Sequence, residues 1–521
     1  MRRPRRHPRP PNYRTQSIPA PVGGLNAVNA LAEMPPTDAI TLENYFCQPG
    51  SVDIRNGSSN WATGFPGWVE TIIAYNGLTG TKLFGIAAGQ LYDATLTGAI
   101  GAALVSGLSN SRFEYTHIDT PAGAYLYAMN ASDSPLLYNG STWQQVTGIS
   151  APIAITGVTT SQLRNPWVWK NRLFAIQDGT LTAWYLPIQS VGGAAQPLFL
   201  QSYFAKGGQL QAGFTVSITD ASSTDDYVGF LSTMGELVMF RGTDPAFSGS
   251  FGMVGRFQMG RPVGRRPFFR LDGDTIIINE DGFMPVSAAM TAERDNPAAA
   301  LSAKIRPLIN SDVQTYGSNW GWQGIVYPTG NKLIINTPEV SDSLSHQHVM
   351  STTTKGWSRF TGWNAACFET QGSALYFGTS GVIVQADMAG VGTDNGVAIT
   401  ARVKPAFSYF DSEGQQKEFK MVRPIYASNG TPTLSIIVNT DFADFAPAYP
   451  LTPPPLSGPA WDVTPWDTAQ WGGTSSQVSN WYGADGVGFS GTLNMTVISN
   501  GTTQQLQSID YLYEIAQGSV L

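Results

Sequence analysis

Residues 374–387 read "ALYFGTSGVIVQAD": an apolar run, a Gly-containing break, a second apolar run and an acidic stop. The runs are aromatic and β-branched, which suits a pleated surface, and glycine permits the backbone angles that tight turns need. The stretch reads as a β-hairpin. One hairpin cannot bury its own face, so its fold depends on companions, and the chain supplies them. Similar units are "KLFGIAAGQLYDAT" (82–95), "PLLYNGSTWQQVTG" (135–148), "NRLFAIQDGTLTAWYL" (171–186), "GELVMFRGT" (235–243), "DTIIINEDGFMPVS" (274–287) and "NKLIINTPEV" (331–340). Most break at Gly, Asn or Asp and then resume, which is hairpin chemistry. Their starts lie 36 to 64 residues apart, about 49 on average, and one four-stranded propeller blade consumes a comparable length. A ring of blades buries each sheet against its neighbours and leaves few edges. The expectation is an all-β chain: a six- to seven-bladed β-propeller over 61–394, with a pair of large β-sandwiches as the alternative.

Composition agrees with many short strands. Gly and Pro number 56 and 34 in 521 residues, charged residues are 13% and hydrophobic residues 42%. A core is affordable, and the surface is mostly uncharged polar. Cys47 and Cys367 sit in apolar surroundings and read as buried free thiols, too few for a disulfide framework. No stretch of about 20 uncharged apolar residues is present, so membrane insertion is not expected.

Two segments break the β pattern. Residues 35–46 read as a short helix capped at Thr37 or Asp38. Residues 296–312 read as a better one, with Asn296 as cap, Leu301, Ile305, Leu308 and Ile309 on one face, and Pro307 distorting it. Residues 21–60 are taken as an N-terminal segment. Beyond 395 the strands alternate, and 395–521 reads as a second β domain, a sandwich or barrel, with a Pro/Trp-rich excursion at 449–472.

Catalytic chemistry finds little footing. Gly140-Ser141-Thr142-Trp143 matches the tail of a sialidase turn, but Leu136 and Tyr138 stand where its Ser and Asp belong. His346-Gln347-His348 places two imidazoles on one face of a strand. No third ligand is evident, and the Ser-rich context reads as an exposed loop. Asp225-Asp226 reads as a solvated acidic turn. There is no nucleophile elbow, zinc-protease helix or Walker loop. The expectation is no enzyme, no metal and no cofactor.

Charge points elsewhere. The net charge is −7, unlike a protein that grips duplex DNA. The start is the exception: Arg2, Arg3, Arg5, Arg6 and Arg9, interleaved with proline, make an extended basic arm over 1–20 suited to a partner surface. The densest internal cluster is Arg256, Arg261, Arg265, Arg266 and Arg270, candidates for phosphate or a neighbouring subunit's carboxylates. The simpler reading is a solvated loop or an ion pair with Asp272 or Asp274. Trp461, Trp466 and Trp471 in the Pro/Trp segment are candidates for contact with a partner surface, or for packing on their own domain.

The order of motifs resembles a known family. "PVGGLNAVNALAEMPPTDAITLENYFCQPGSVDIRNG" (21–57) resembles the opening of the β-propeller tail hub or nozzle proteins of short-tailed bacteriophages, also called packaged-DNA stabilisation proteins. The matching residues are Gly23-Gly24-Leu25-Asn26, Pro36, Asp38-Ala39, Asn44, Pro49-Gly50, Arg55 and Gly57. "GRPVGRRPFF" with "DTIIINEDGFMPVS", residues 355–387, and the ending "LQSIDYLYEIAQGSVL" are similar as well. The arm at 1–15 lies outside the resemblance. The resemblance implies a non-enzymatic virion protein, assembled in the host cytoplasm into a homohexameric ring. That ring would sit below the portal and adaptor, carry genomic DNA through its lumen, retain it until ejection, and contact tail fibres or a spike. The alternative is a receptor- or glycan-binding propeller of a phage tail.

Overall fold

A computed structural model describes residues 13–77, 80–219, 224–247, 249–291, 297–447, 450–451 and 475–515. Two compact units result. Among the described residues, one comprises those within 59–348 and 361–386, and the other those within 13–58, 349–360 and 387–515. Residues 21–58 share a unit with the C-terminal strands.

The larger unit is built of β-propeller-like blades. Three sheets are four-stranded antiparallel meanders, running from Glu114–Thr120 to Trp143–Gln145, from Leu163–Trp169 to Gln196–Phe199, and from Leu210–Thr219 to Phe251–Gln258. A three-stranded sheet spans Phe268–Leu271, Asp274–Asn279 and Gly282–Pro285. The expected hairpins at 82–95, 135–148, 171–186 and 274–287 are all antiparallel pairs.

The stretch at 374–387 differs from its reading. It is one 15-residue strand, Ala374–Met388, not a hairpin. Its first half pairs with Cys367–Gln371, and it also pairs with the 21-residue strand Gly57–Gly77. Gly381, at φ 72°, absorbs the break without reversing the chain. The early strand Gly57–Gly77 thus pairs with late-chain Ala374–Met388 at one end and with Gly80–Ala87 at the other.

The core lies between sheets. Ile73, Phe84 and Leu91 pack with Leu126 and Leu136 of the next sheet; Tyr127 and Leu137 pack with Leu163 and Leu173; Trp167 and Phe174 pack with Val228, Phe230 and Phe240. Burying each such side chain contributes roughly 1.5–3 kcal/mol. Gly213 shows how closely neighbouring sheets approach: a Cβ there would enter the Trp167 ring.

Polar staples join successive first strands. The Thr71 hydroxyl donates to Ser111 O at 2.7 Å and accepts from Phe113 N at 3.0 Å. Gln323 donates to Phe368 O at 2.9 Å and accepts from Phe368 N at 3.0 Å. These bonds satisfy backbone groups that no ladder reaches.

Among the described residues, two α-helices interrupt the strands: α1 (Val286–Thr291) and α2 (Arg306–Tyr316). The helix expected over 296–312 starts later. Pro307 lies in the first turn of α2, where its missing N–H costs nothing, so it begins the helix instead of bending it. Asn296 lies outside the described residues.

Among the described residues, the smaller unit is built mainly of two sheets. In one, Gln504–Ile515 lies between Lys417–Ser428 and Ser51–Ile54 and also pairs with Tyr13–Pro19. The other includes Gly24–Leu25, Asp38–Glu43, Thr400–Pro405, Gly491–Ile498 and Thr433–Thr440 in that order. Tyr511 of the first accepts a hydrogen bond from Leu493 N of the second at 2.9 Å, and Phe410, Phe419, Tyr511 and Tyr513 pack as one aromatic group. The helix expected at 35–46 is absent. Asp38–Glu43 and Tyr45–Gln48 are strands with buried Ala39, Leu42, Tyr45, Phe46 and Cys47: the first pairs with Thr400–Pro405, far away in sequence, and the second with Ser51–Ile54 across the turn at Pro49-Gly50. No helix among the described residues is long and apolar enough to cross a membrane.

Candidate functional site

The arginine cluster does not stay together. Arg256 is exposed on the last strand of its sheet, 3.9 Å from Glu236. Arg261 is exposed, and Arg270 is exposed and donates to Thr215 O at 3.2 Å. Arg265 and Arg266 turn inward between the first strands of several sheets. Arg266 donates to Phe113 O at 2.9 Å, Thr71 Oγ1 at 3.1 Å and Gln323 Oε1 at 3.0 Å, and lies 5.0 Å over the Trp320 ring. Arg112 lies over the same ring at 5.2 Å and pairs with Glu70 at 2.6 Å. Arg266 thus tethers strands within the unit, and neither Asp272 nor Asp274 is its partner.

Arg265 and Arg266 line a cavity of about 170 Å³ with Glu114, Tyr115, Gln323 and Glu369. Glu114 is buried, and neither of its oxygens has a hydrogen-bond partner among the described residues. Its charge is met at a distance by Arg265 at 3.7 Å and Arg164 at 3.8 Å. Arg164 is itself held by Asp178 at 2.6 Å and by Leu210 O at 3.0 Å. Across the cavity, Tyr115 donates to Glu369 at 2.6 Å. Desolvation pushes the Glu369 carboxyl up to about 7, the tyrosine hydrogen bond opposing it. Desolvation likewise pulls the Arg265 guanidinium down from its ordinary value. Such a cavity can hold a small polar molecule or ordered water. A nucleic-acid duplex, whose major groove alone is about 12 Å wide, is far too large.

The other motifs resolve as follows. Trp143, at the end of the sialidase-like tetrapeptide, packs on Phe84 and Tyr138 at 5.1 and 5.0 Å and is structural. Asp226 is in a strand, Thr224–Ser232, not a turn, and pairs with Lys170 at 2.7 Å. Cys47 and Cys367 are buried free thiols, as expected, and burial pushes the Cys367 thiol up to about 12. His346 and His348, expected in an exposed loop, are buried in the strand Leu344–Ser351. The side chain of Gln347 between them is anchored to Asn336 Oδ1 at 2.9 Å and Trp363 O at 2.8 Å. Asp312 comes within 2.7 Å of His348, a third polar group that spacing alone does not reveal. Arg2, Arg3, Arg5, Arg6, Arg9, Trp461, Trp466 and Trp471 lie outside the described residues.

Residues of the opening stretch 21–57, part of the sequence resemblance, lie in the smaller unit. Asn26 donates to Asp38 at 2.7 Å, and Gly24, at φ 79°, lies so close to Trp357 that a Cβ would strike its backbone. Arg55 donates from Nε to Asn44 Oδ1 at 2.9 Å and grips Asp394 with both terminal nitrogens at 3.0 and 2.5 Å. Asn44, at φ 55°, donates in turn to Thr400 O at 2.8 Å. Composition and periodicity do not point to this network.

No protein-family model matches the chain, and no curated protein matches it either. Among solved structures, the chain is similar to BBS1N in its complex with ARL6DN, at 11% identity and a TM-score of 0.41, over 64% of this chain and 98% of that one. It is also similar to the β-propeller domain of Cps50 (Swd1) from Myceliophteria thermophila, at 11% identity and a TM-score of 0.38, over 65% and 100% of the two chains. A third is YCF48 bound to D1 peptide, at 10% identity and a TM-score of 0.33, over 65% and 96%.

Proposed function

We propose that the chain is a structural subunit of a short-tailed phage tail: a nozzle or hub that assembles as a ring of about six copies, continues the DNA channel below the portal and adaptor, and holds the genome until ejection. The observation that carries this reading is a set of two side-chain pairs, Asn26 with Asp38 and Asn44 with Arg55. In each pair, residues that match the nozzle-family opening are bonded to one another, which supports reading them as parts of a folded signature.

In this reading the larger unit has seven blades. The strand Gly57–Gly77 serves two of them: one end completes the last blade with Ala374–Met388, and the other opens the first with Gly80–Ala87. The smaller unit is a β-sandwich. A cavity of about 170 Å³ cannot pass a polymer, so the conduit lies between copies. Lateral contacts have apolar material available on the last strands of two successive sheets: Phe199 is 64% exposed, and Met253 and Val254 are 48% and 46% exposed. An acidic, charge-poor subunit lets DNA slide without an electrostatic trap. The role is non-enzymatic, and the subunit resides in the virion tail after assembly in the host cytoplasm.

Removing residues 1–12 leaves the strand Tyr13–Pro19 in place. The truncated chain is expected to dock poorly to the adaptor ring. A receptor- or glycan-binding module would keep its glycan binding after the same deletion, and a glycan array with both proteins separates the two.

A further inference from the structure

We propose that Asp312, His346 and His348 form a binding site for a divalent first-row transition ion of the zinc class, with Glu339 as the outer partner that orients one ligand. Alternation along Leu344–Ser351 puts His346 and His348 on one face of the strand. Helix α2 supplies the third group. Ile309 is buried and lies three residues before Asp312, so the helix face that packs inward also carries that carboxylate.

Three atoms converge. His346 Nε2 and His348 Nε2 are 3.3 Å apart, and Asp312 Oδ2 is 3.1 Å from the first and 2.7 Å from the second. A triangle with those sides has a circumradius of about 1.8 Å, smaller than the roughly 2.0–2.1 Å of a zinc–nitrogen bond. One ion about 1 Å above its plane therefore reaches all three atoms. The other nitrogen of His346, Nδ1, is 2.7 Å from Glu339 Oε1. With Nδ1–H donating a hydrogen bond to that carboxylate, Nε2 keeps a lone pair aimed at the same point as the Asp312 oxygen, an arrangement typical of metal-ligating histidine. Two lone pairs facing each other at 3.1 Å repel; a cation between them reverses the sign.

Two imidazoles and one carboxylate suit zinc, cobalt, nickel or iron(II) better than magnesium or calcium, which prefer all-oxygen sites. Both histidines are 1% exposed, while the Asp312 and Glu339 side chains are 16% and 23% exposed, so an ion arrives from the helix side. Bound there, it fastens α2 to its neighbouring strands.

The test uses the purified full chain, stripped with a chelator and titrated with Zn²⁺ by calorimetry and with Co²⁺ by visible absorption. One ion per chain is expected, with a thermal midpoint that rises with metal concentration. Glu339→Gln should weaken binding about 10- to 100-fold. Asp312→Ala and His348→Ala should weaken it further, and His117→Ala, a change elsewhere in the same unit, should leave it as in the parent. Far-UV circular dichroism of each metal-free variant checks the fold. Should a ligand variant fail to fold, Glu339→Gln and the Co²⁺ spectrum of the parent decide. No stoichiometric uptake by the folded parent chain overturns the proposal, as does uptake that survives undiminished in the His346→Ala/His348→Ala double variant or in Glu339→Gln.

Discussion

Arg55 and Asp394 are 339 positions apart, yet their side chains meet in a two-pronged ion pair at 3.0 and 2.5 Å. The Arg55 side chain is 1% exposed and that of Asp394 19%. Ser58 adds a hydrogen bond to the same carboxylate at 2.9 Å. Breaking a buried pair by removing one partner strands the other charge and costs about 3–5 kcal/mol. Arg55→Met alone should therefore lower stability to urea by about that much, and Arg55→Lys should not restore it, because lysine lacks the fork that fits a carboxylate. A loss below 1 kcal/mol for Arg55→Met would show that the pair is incidental.

Packing between sheets gives a second test. Gly213 faces the Trp167 ring, which in turn stacks on Phe174 at 5.2 Å. Gly213→Val forces the indole out of its place and should destabilise by about 1–3 kcal/mol. Trp167→Ala opens a cavity and should cost about 3–5 kcal/mol. Denaturant midpoints measure both. If the two changes prove neutral, the blades do not pack as described.

Glu369 makes stability depend on pH. Its carboxyl ordinarily titrates near 4.5 and is held up to about 7 in the folded chain, chiefly by desolvation. Below 4.5 both states are protonated there. Between 4.5 and 7 the unfolded chain releases a proton that the folded chain keeps, so stability falls as pH rises across that window and levels off above it. The side chain is only partly buried, so the expected loss is on the order of 1–2 kcal/mol. Glu369→Gln should remove this component of the pH profile. A variant that falls over the same window as strongly as the parent would assign the effect to another group.

Phe199 and Val254 supply a test of assembly. Both are exposed on the last strands of their sheets. Phe199→Asp with Val254→Asp should shift the ring toward smaller species without lowering monomer stability, because neither residue is in the core. Light scattering follows the mass, and an unchanged assembly would place the lateral contact elsewhere.

Much of the fold was legible from turn chemistry. Asn and Gly breaks between β-branched runs located four hairpins, because those signals are local. What escaped was non-local. The apolar residues of 38–43 suit a helix or a strand by themselves, and pairing with residues near 400 decides the matter. The strand at 374–388 resembles a hairpin because Gly381 interrupts it; its partner begins more than 300 residues earlier. Arg265 and Arg266 stand out as charge, but the inward course of Arg266 depends on acceptors at 71, 113 and 323, and that of Arg265 on Asn130 O and Glu114. The two histidines are legible as a pair but not as buried. Alternation put them on one face, but the burial of that face comes from neighbouring elements, and Asp312 lies 34 residues away from His346 on a helix.

The central claim is that copies of this chain close into a ring. Native mass measurement of the purified full chain at micromolar concentration tests it most directly. Six copies of a 55.9 kDa chain give a species near 335 kDa, which the account predicts, alone or on addition of the adaptor ring. A single 55.9 kDa species that persists at high concentration and in the presence of the adaptor would contradict it.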